Sequence, residues 1–206
     1  MFAVINELVK DLSSQFEIID ENRKIILFEI SKAIQLKIDN NEPIDLVYIC
    51  THNSRRSHFG QVAASIAAAT CSISNVNTYS GGTEETAFNQ NAIQALESFG
   101  MDVIGDGRDP NPTYFVFFGG NQFSICFSKK YNHSANPKTN YIAIMTCSDA
   151  DENCPIISGS SHRFSTPYSD PKESDNTPYS SETYKNRFKQ ILLETLFVFS
   201  KLKQRN

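Results

Sequence analysis

Ile44-Asp45-Leu46-Val47-Tyr48-Ile49-Cys50-Thr51-His52-Asn53-Ser54-Arg55-Arg56-Ser57 carries an apolar, β-branched run straight into a charged turn. The first seven residues predict a buried strand. Residues 57–70 follow with Val62, Ala63, Ala64, Ile66, Ala67, Ala68 and Ala69, a helix-forming composition. Strand, short turn and helix make one α/β step. Toward the N-terminus, residues 1–42 read as helical. Phe2, Ile5, Leu8, Val9 and Leu12 recur at helical spacing, and Ile25, Ile26, Phe28, Ile30, Ala33, Ile34 and Ile38 form a second periodic stretch. Asp20 is placed to cap that second helix, and Asn40-Asn41-Glu42-Pro43 ends it.

Toward the C-terminus, the pattern predicts a short strand at 76–80, a turn at Gly81-Gly82 and a helix over 87–99 closed by Gly100. Residues 105–112 read as loop. Gly119-Gly120-Asn121 between apolar runs at 114–118 and 122–128 predicts a hairpin. A polar loop at 129–140, a buried strand at 141–146, a long loop region at 148–180 and an amphipathic helix at 182–203 complete the chain. Strands alternating with helices imply an α/β fold: three layers, with a central, mostly parallel sheet of about four strands flanked by helices. The expected organisation is a helical extension, 1–42, and one domain, 43–206, with an insertion at about 106–140. The two additions would either pack on the core or build a homodimer interface.

The 206 residues fit one such domain plus additions, at roughly 150 residues per domain. A net charge of −4 argues against nucleic acid or an anionic membrane as partner. No apolar run approaches the ~18–20 residues needed to span a bilayer. The start, Met1-Phe2-Ala3-Val4-Ile5-Asn6-Glu7, lacks the basic and then apolar pattern of a secretory signal, so a cytoplasmic location is expected. The five cysteines, Cys50, Cys71, Cys126, Cys147 and Cys154, are too few and too spread for a disulfide scaffold. Each is then a small buried hydrophobe or a chemical group.

Cys50 ends a strand, and Arg56 and Ser57 follow at the start of a helix, giving Cys-x5-Arg-Ser. A turn of this length can fold its amides inward over Thr51, His52, Asn53, Ser54, Arg55, Arg56 and Ser57, forming an anion nest at a helix N-terminus. Arg56 can grip two oxygens of a tetrahedral oxyanion. The same positive field is expected to favour a thiolate at Cys50, and Ser57 can donate to it. Cys147 and Cys154 lie seven positions apart after the 141–146 strand. No metal site is expected there, because His162 is the only further ligand nearby. That leaves two inert cysteines or a redox pair. A helical 147–154 segment would separate their Cα atoms by roughly 10 Å, beyond the ~4.4–6.8 Å of a disulfide, so bridging requires the segment to unwind. Cys71 and Cys126 read as core filler.

The Cys50–Ser57 segment in its strand–helix setting resembles the low-molecular-weight protein tyrosine phosphatase superfamily, which includes the thioredoxin-coupled arsenate reductases. Cys147-Ser148-Asp149-Ala150-Asp151-Glu152-Asn153-Cys154-Pro155 closely resembles the redox segment of those reductases. The resemblance covers roughly 45–105 and 140–203. It implies that Cys50 is the nucleophile, that Asp170 of Tyr168-Ser169-Asp170-Pro171 is the general acid, and that Cys147 and Cys154 relay electrons to thioredoxin, with no bound cofactor. Asp109-Pro110 is a rival to Asp170, and order along the chain favours Asp170. The alternative it implies is a phosphatase hydrolysing phosphate monoesters through Cys50, Arg56 and Asp170. Lys172-Glu173 follow the Asp-Pro, where phosphotyrosine-specific members often carry aromatic residues. His52 stands where glycine is frequent, and Arg55 where a small residue or cysteine is frequent. These departures suggest a third reading, an oxyanion-binding protein with weak catalysis. Asn53, Gln61 and Ser80 fall where such reductases resemble a potassium-tuned site, with Gln61 replacing a more usual Glu.

Overall fold

The computed structural model describes residues 1–153 and 156–203, so Cys154 lies outside the described residues. Helix α1 (Ala3–Ser13), a 3-10 turn (Phe16–Ile18) and α2 (Glu21–Asp39) precede β1 (Ile44–Cys50) and α3 (Arg56–Thr70). Then come β2 (Val76–Gly82), α4 (Gln90–Ser98), β3 (Asp102–Gly105), β4 (Tyr114–Gly119) and β5 (Gln122–Cys126). The chain continues through β6 (Tyr141–Met145), α5 (Ser148–Asn153), β7 (Ser160–Ser165), a 3-10 turn (Pro171–Ser174) and α6 (Ser180–Ser200). Asp20 caps α2 as expected, accepting from the Asn22 and Arg23 amides.

The central sheet has the order β2-β1-β6-β7 and every pairing is parallel. Side chains of β1 alternate between its faces. Leu46 and Tyr48 join the main core with Phe59, Val62, Phe188 and Phe199 from α3 and α6. Val47 and Ile49 face the other way, onto Met145, Cys147 and Ala150 beside α5. Ile5, Val9, Leu27 and Ile34 of the N-terminal helices belong to the main core.

Three expectations are corrected. The region 148–180 is not one long loop: it holds α5, β7 and a 3-10 turn. β7 is the fourth strand of the sheet, and its Ser-Ser-His-Arg-Phe-Ser sequence lacks an apolar run because it is an edge strand. Gly81-Gly82 is strand rather than turn, since β2 pairs with β1 as far as Cys50↔Gly82. The inserted hairpin gains a third strand, β3, forming a separate antiparallel sheet β3-β4-β5.

Alanine-rich α3 crosses close to β1. A Cβ on Gly60 would lie 2.2 Å from Cδ1 of Tyr48, whose ring is packed in the core. Gly60→Ala is therefore expected to destabilise the fold by about 2 kcal/mol, since overpacking costs up to about 3 and the helix propensity of alanine returns about 1. Urea unfolding of the two proteins measures the difference.

Candidate active site

Parallel pairing brings strand ends together. Cys50 pairs with Gly82, and the β1–β6 ladder ends at Ile49↔Met145, so Cys50 and Cys147 emerge from neighbouring strands at the C-terminal edge of the sheet. This edge is where ligands bind in open α/β sheets. Both cysteines are buried free thiols in one apolar cluster. Thr51 Oγ1 lies 3.4 Å from Cys147 Sγ, and the Ala150 amide donates to that sulfur at 3.4 Å.

The 51–55 turn is held from outside by its carbonyls. Thr83 N–H donates to Cys50 O at 3.2 Å, Glu84 N–H to Thr51 O at 2.8 Å, and Asn89 N–H to Ser54 O at 3.0 Å. His52 O accepts from the hydroxyls of Thr86 and Ser128. Among the described residues no acceptor engages the amides of residues 51–57, which suits an inward-facing anion nest opening α3. Gly82 permits this closure: a Cβ there would lie 2.7 Å from Thr51 O and 2.8 Å from Asn53 N. Asn53 has φ 43°, a left-handed conformation that asparagine tolerates.

A directed hydrogen-bond chain reaches the sulfur. Lys129 N–H donates to Asn53 Oδ1 at 2.8 Å, and Asn53 Nδ2 donates to Ser57 Oγ at 2.8 Å. Ser57 Oγ is 3.1 Å from Cys50 Sγ. With its oxygen accepting from Asn53, Ser57 has its own hydrogen available for the sulfur.

Cys50, His52, Ser54, Arg55, Arg56 and Asp170 line one small cleft. Asp109, the rival carboxyl, is absent from this lining. Arg56 donates to Tyr168 O at 2.7 Å and forms a 2.6 Å ion pair with Asp170. The second Asp170 oxygen accepts from Lys172 N–H at 3.0 Å, capping the 3-10 turn. Arg55 is committed to the scaffold: it donates to the Tyr184 hydroxyl at 2.7 Å and pairs with Asp175 at 3.3 Å. Burial and the Asp175 hydrogen bond push the Tyr184 phenol up to about 12, so it stays protonated and donates to Asp175. His52 sits on the rim, 3.5 Å from Glu84. His58 is buried, tilted against Phe88 with ring centroids 4.1 Å apart, and bonded to Ser80 through Nδ1. Burial and the Lys129 charge pull its pKa well below the ordinary histidine range. Asn53, Gln61 and Ser80 spend polar atoms on protein partners: Lys129 and Ser57, the Ile125 carbonyl, and His58 respectively.

The Tyr168 carbonyl that holds Arg56 depends on a network that sequence did not reveal. Glu194 of α6 is buried and accepts from Arg23 Nε and the Tyr168 hydroxyl, both at 2.8 Å. Burial and then the Glu194 charge hold the Tyr168 phenol well above its usual value, so it remains the donor. Arg23 also donates to Pro167 O, tying α2 to the same loop. A cleft of about 580 Å³ between the N-terminal helices and α6 lies behind this network, away from Cys50. Glu194→Ala leaves Arg23 and Tyr168 facing an empty site. A loss of about 3–5 kcal/mol in urea unfolding is expected, as for one partner of a buried ion pair.

No protein-family model matches the chain, nor does any curated protein. Solved structures do. A low molecular weight protein tyrosine phosphatase from T. tengcongensis aligns over 77% of this chain and 99% of its own, with 12% identity and a TM-score of 0.52. An arsenate reductase from Archaeoglobus fulgidus aligns over 76% and 99%, with 12% identity and a TM-score of 0.45. A thioredoxin-dependent arsenate reductase from Corynebacterium glutamicum aligns over 91% and 92%, with 15% identity and a TM-score of 0.39. Among the described residues no helix is long and apolar enough to cross a membrane, and no cluster of His, Cys, Asp and Glu could hold a metal ion. The four-stranded parallel sheet, its helical layers and the turn that opens α3 at its edge together give this chain the fold of the low-molecular-weight protein tyrosine phosphatases.

Proposed function

We propose that this chain reduces arsenate to arsenite with thioredoxin as the electron donor. One observation carries the reading. A second buried thiol, Cys147, lies against the Cys50 turn, with its sulfur 3.4 Å from Thr51 Oγ1. Ester hydrolysis through Cys50 requires no such thiol, whereas a redox relay does.

In this mechanism the 51–57 amides and Arg56 hold the oxyanion while Cys50 thiolate attacks arsenic. Asp170 protonates the departing hydroxide, which leaves as water. Cys147 thiolate then attacks Cys50 Sγ. The S–As bond breaks, its electron pair stays on arsenic, and arsenic(V) becomes arsenic(III). Cys154 thiolate attacks Cys147 Sγ and expels Cys50 thiolate. Thioredoxin supplies two electrons as a dithiol and reduces the Cys147–Cys154 bond. Arg56 must release Asp170 before it can hold an oxyanion with its fork, so Asp170 is freed to act as a proton donor in the same event.

The test follows NADPH consumption with thioredoxin, thioredoxin reductase and arsenate, alongside hydrolysis of an aryl phosphate. Arsenate-dependent consumption is expected, with both activities abolished in Cys50→Ser. Aryl-phosphate turnover with no arsenate-dependent consumption would replace the reading by a phosphatase. Absence of both would leave an oxyanion-binding protein.

A further inference from the structure

Lys129 is 2% exposed, yet among the described residues no carboxylate lies within ion-pair distance of its ammonium. Its Nζ has one long hydrogen bond, 3.3 Å to Phe127 O, and sits 4.2 Å above the Phe127 ring. A buried cation without a counter-charge is costly, so such groups pair with an anion or lose their proton. Cys126 is not that anion, because burial pushes its thiol up to about 12 and keeps it neutral. The ammonium itself is pulled by burial only to about 8, so near neutral pH it is charged and short of partners.

Lys129 lines a cleft of about 370 Å³ between α3, β2 and β5, together with Gln61, Thr78, Ser124 and Phe127. Gln61 supplies a second unsatisfied group. Its Nε2 is spent on the Ile125 carbonyl at 2.9 Å, while its buried Oε1 has no donor. One ligand chemistry answers both groups: an anion for Lys129 that carries an O–H for Gln61. We propose that this cleft binds a small protonated tetrahedral oxyanion, of the hydrogen phosphate or hydrogen arsenate class, at a site distinct from the Cys50 turn. Lys129 also connects the two sites. Its carbonyl accepts from Gly82 N–H at 2.9 Å, and its amide begins the chain through Asn53 and Ser57 to Cys50. Occupancy of the cleft is thereby coupled to the backbone that supports the catalytic turn.

The groups facing Lys129 are His58 from α3 and Cys126 from β5, with Tyr79 of β2 on the same cleft. His58 is held well below its usual pKa by burial and then by the Lys129 charge, and burial raises the Cys126 and Tyr79 values. None of these changes charge near pH 8, so Lys129 governs the pH response. Affinity is expected to be present below about pH 8 and to fall as pH rises through it, because the deprotonated amine no longer attracts an anion.

The experiment uses inorganic phosphate and the full chain. Arg56→Met removes the fork at the catalytic turn and isolates the second site. Phosphate is expected to raise the melting temperature of Arg56→Met at pH 7. Sulfate, which has no proton at that pH, should require at least a tenfold higher concentration for the same shift. Lys129→Met in the Arg56→Met background should abolish the phosphate shift, and raising the pH to 9.5 should weaken it at least tenfold. Calorimetry of Lys129→Met alone should retain one phosphate event, at the catalytic turn, which also reports that the variant is folded. A phosphate shift that survives Lys129→Met, no shift in Arg56→Met, or an equal response to sulfate would overturn the proposal. The Arg56 and Lys129 arms read different sites, so failure here is distinguishable from failure of the reductase reading.

Discussion

Cys147→Ser is expected to stop arsenate-dependent NADPH consumption, a fall of more than about a thousandfold, while leaving aryl-phosphate hydrolysis within about twofold. In the proposed relay the Cys50–arsenic adduct has one forward exit, attack by a neighbouring thiolate on Cys50 Sγ. A serine hydroxyl at position 147 has nearly the same volume but cannot form the disulfide. Water, by contrast, hydrolyses a phosphocysteine without any help from position 147. The substitution is nearly isosteric in a buried pocket beside Thr51 and Ala150, so the fold should survive it. Unfolding curves for both proteins check that point. Retention of arsenate-dependent consumption in this variant would remove Cys147 from the mechanism.

Arg56→Met is expected to lower kcat/KM for either substrate by about a thousandfold, close to 4 kcal/mol of transition-state stabilisation. Arg56 is 7% exposed and lines the cleft shared by Cys50 and Asp170. Desolvation of this kind strengthens its pull on charge that develops on the oxyanion. The substitution has a second consequence, because Arg56 also holds Tyr168 O and the Asp170 carboxylate. Loss of Arg56 frees the loop that carries Asp170, the proposed acid, so kcat should fall more than KM rises. Steady-state kinetics over a range of substrate concentrations separates the two effects. Arg56→Lys tests the geometry, since a point charge cannot make both bonds at once, and it should recover little of the loss.

The Cys50 turn was legible because its chemistry is local. Cysteine, amides, arginine and serine occupy eight consecutive positions, with a strand before them and an alanine-rich helix after. The hairpin was legible for a similar reason, since Gly119-Gly120-Asn121 sits between apolar runs. The α2 cap at Asp20 was too. β7 was hidden because an edge strand with one mostly polar face does not need the β-branched run that marks β1 and β6. β3 has only four residues, too few to display a period. The pairing of Arg56 with Asp170 spans 114 positions, and that of Arg23 with Glu194 spans 171. Nothing in spacing announces contacts of that range; they follow from the sheet order and from α6 packing across the N-terminal helices. Lys129 was the least legible residue. It lies in a stretch that reads as polar loop, and only the β2 edge alongside it turns that loop inward.

The parallel ladder has a mechanical consequence for the proposed relay. Cys50 lies one position and Cys147 two positions past the end of the shared register of neighbouring strands, which lie ~4.8 Å apart and rise ~3.3 Å per residue. A one-residue stagger on that spacing gives a Cα separation of roughly 6 Å, within the ~4.4–6.8 Å that disulfide Cα atoms span. The first sulfur–sulfur contact is therefore geared to the stiffest part of the molecule, and thermal motion of the surface loops does little to detune it. The next exchange draws on a segment of the opposite character. α5 is a single short helix fastened to β7, with Asp151 accepting from Arg163 and Ser165. One step runs on a rigid frame and the next on a releasable clasp, so temperature and viscosity should act on the two with very different force.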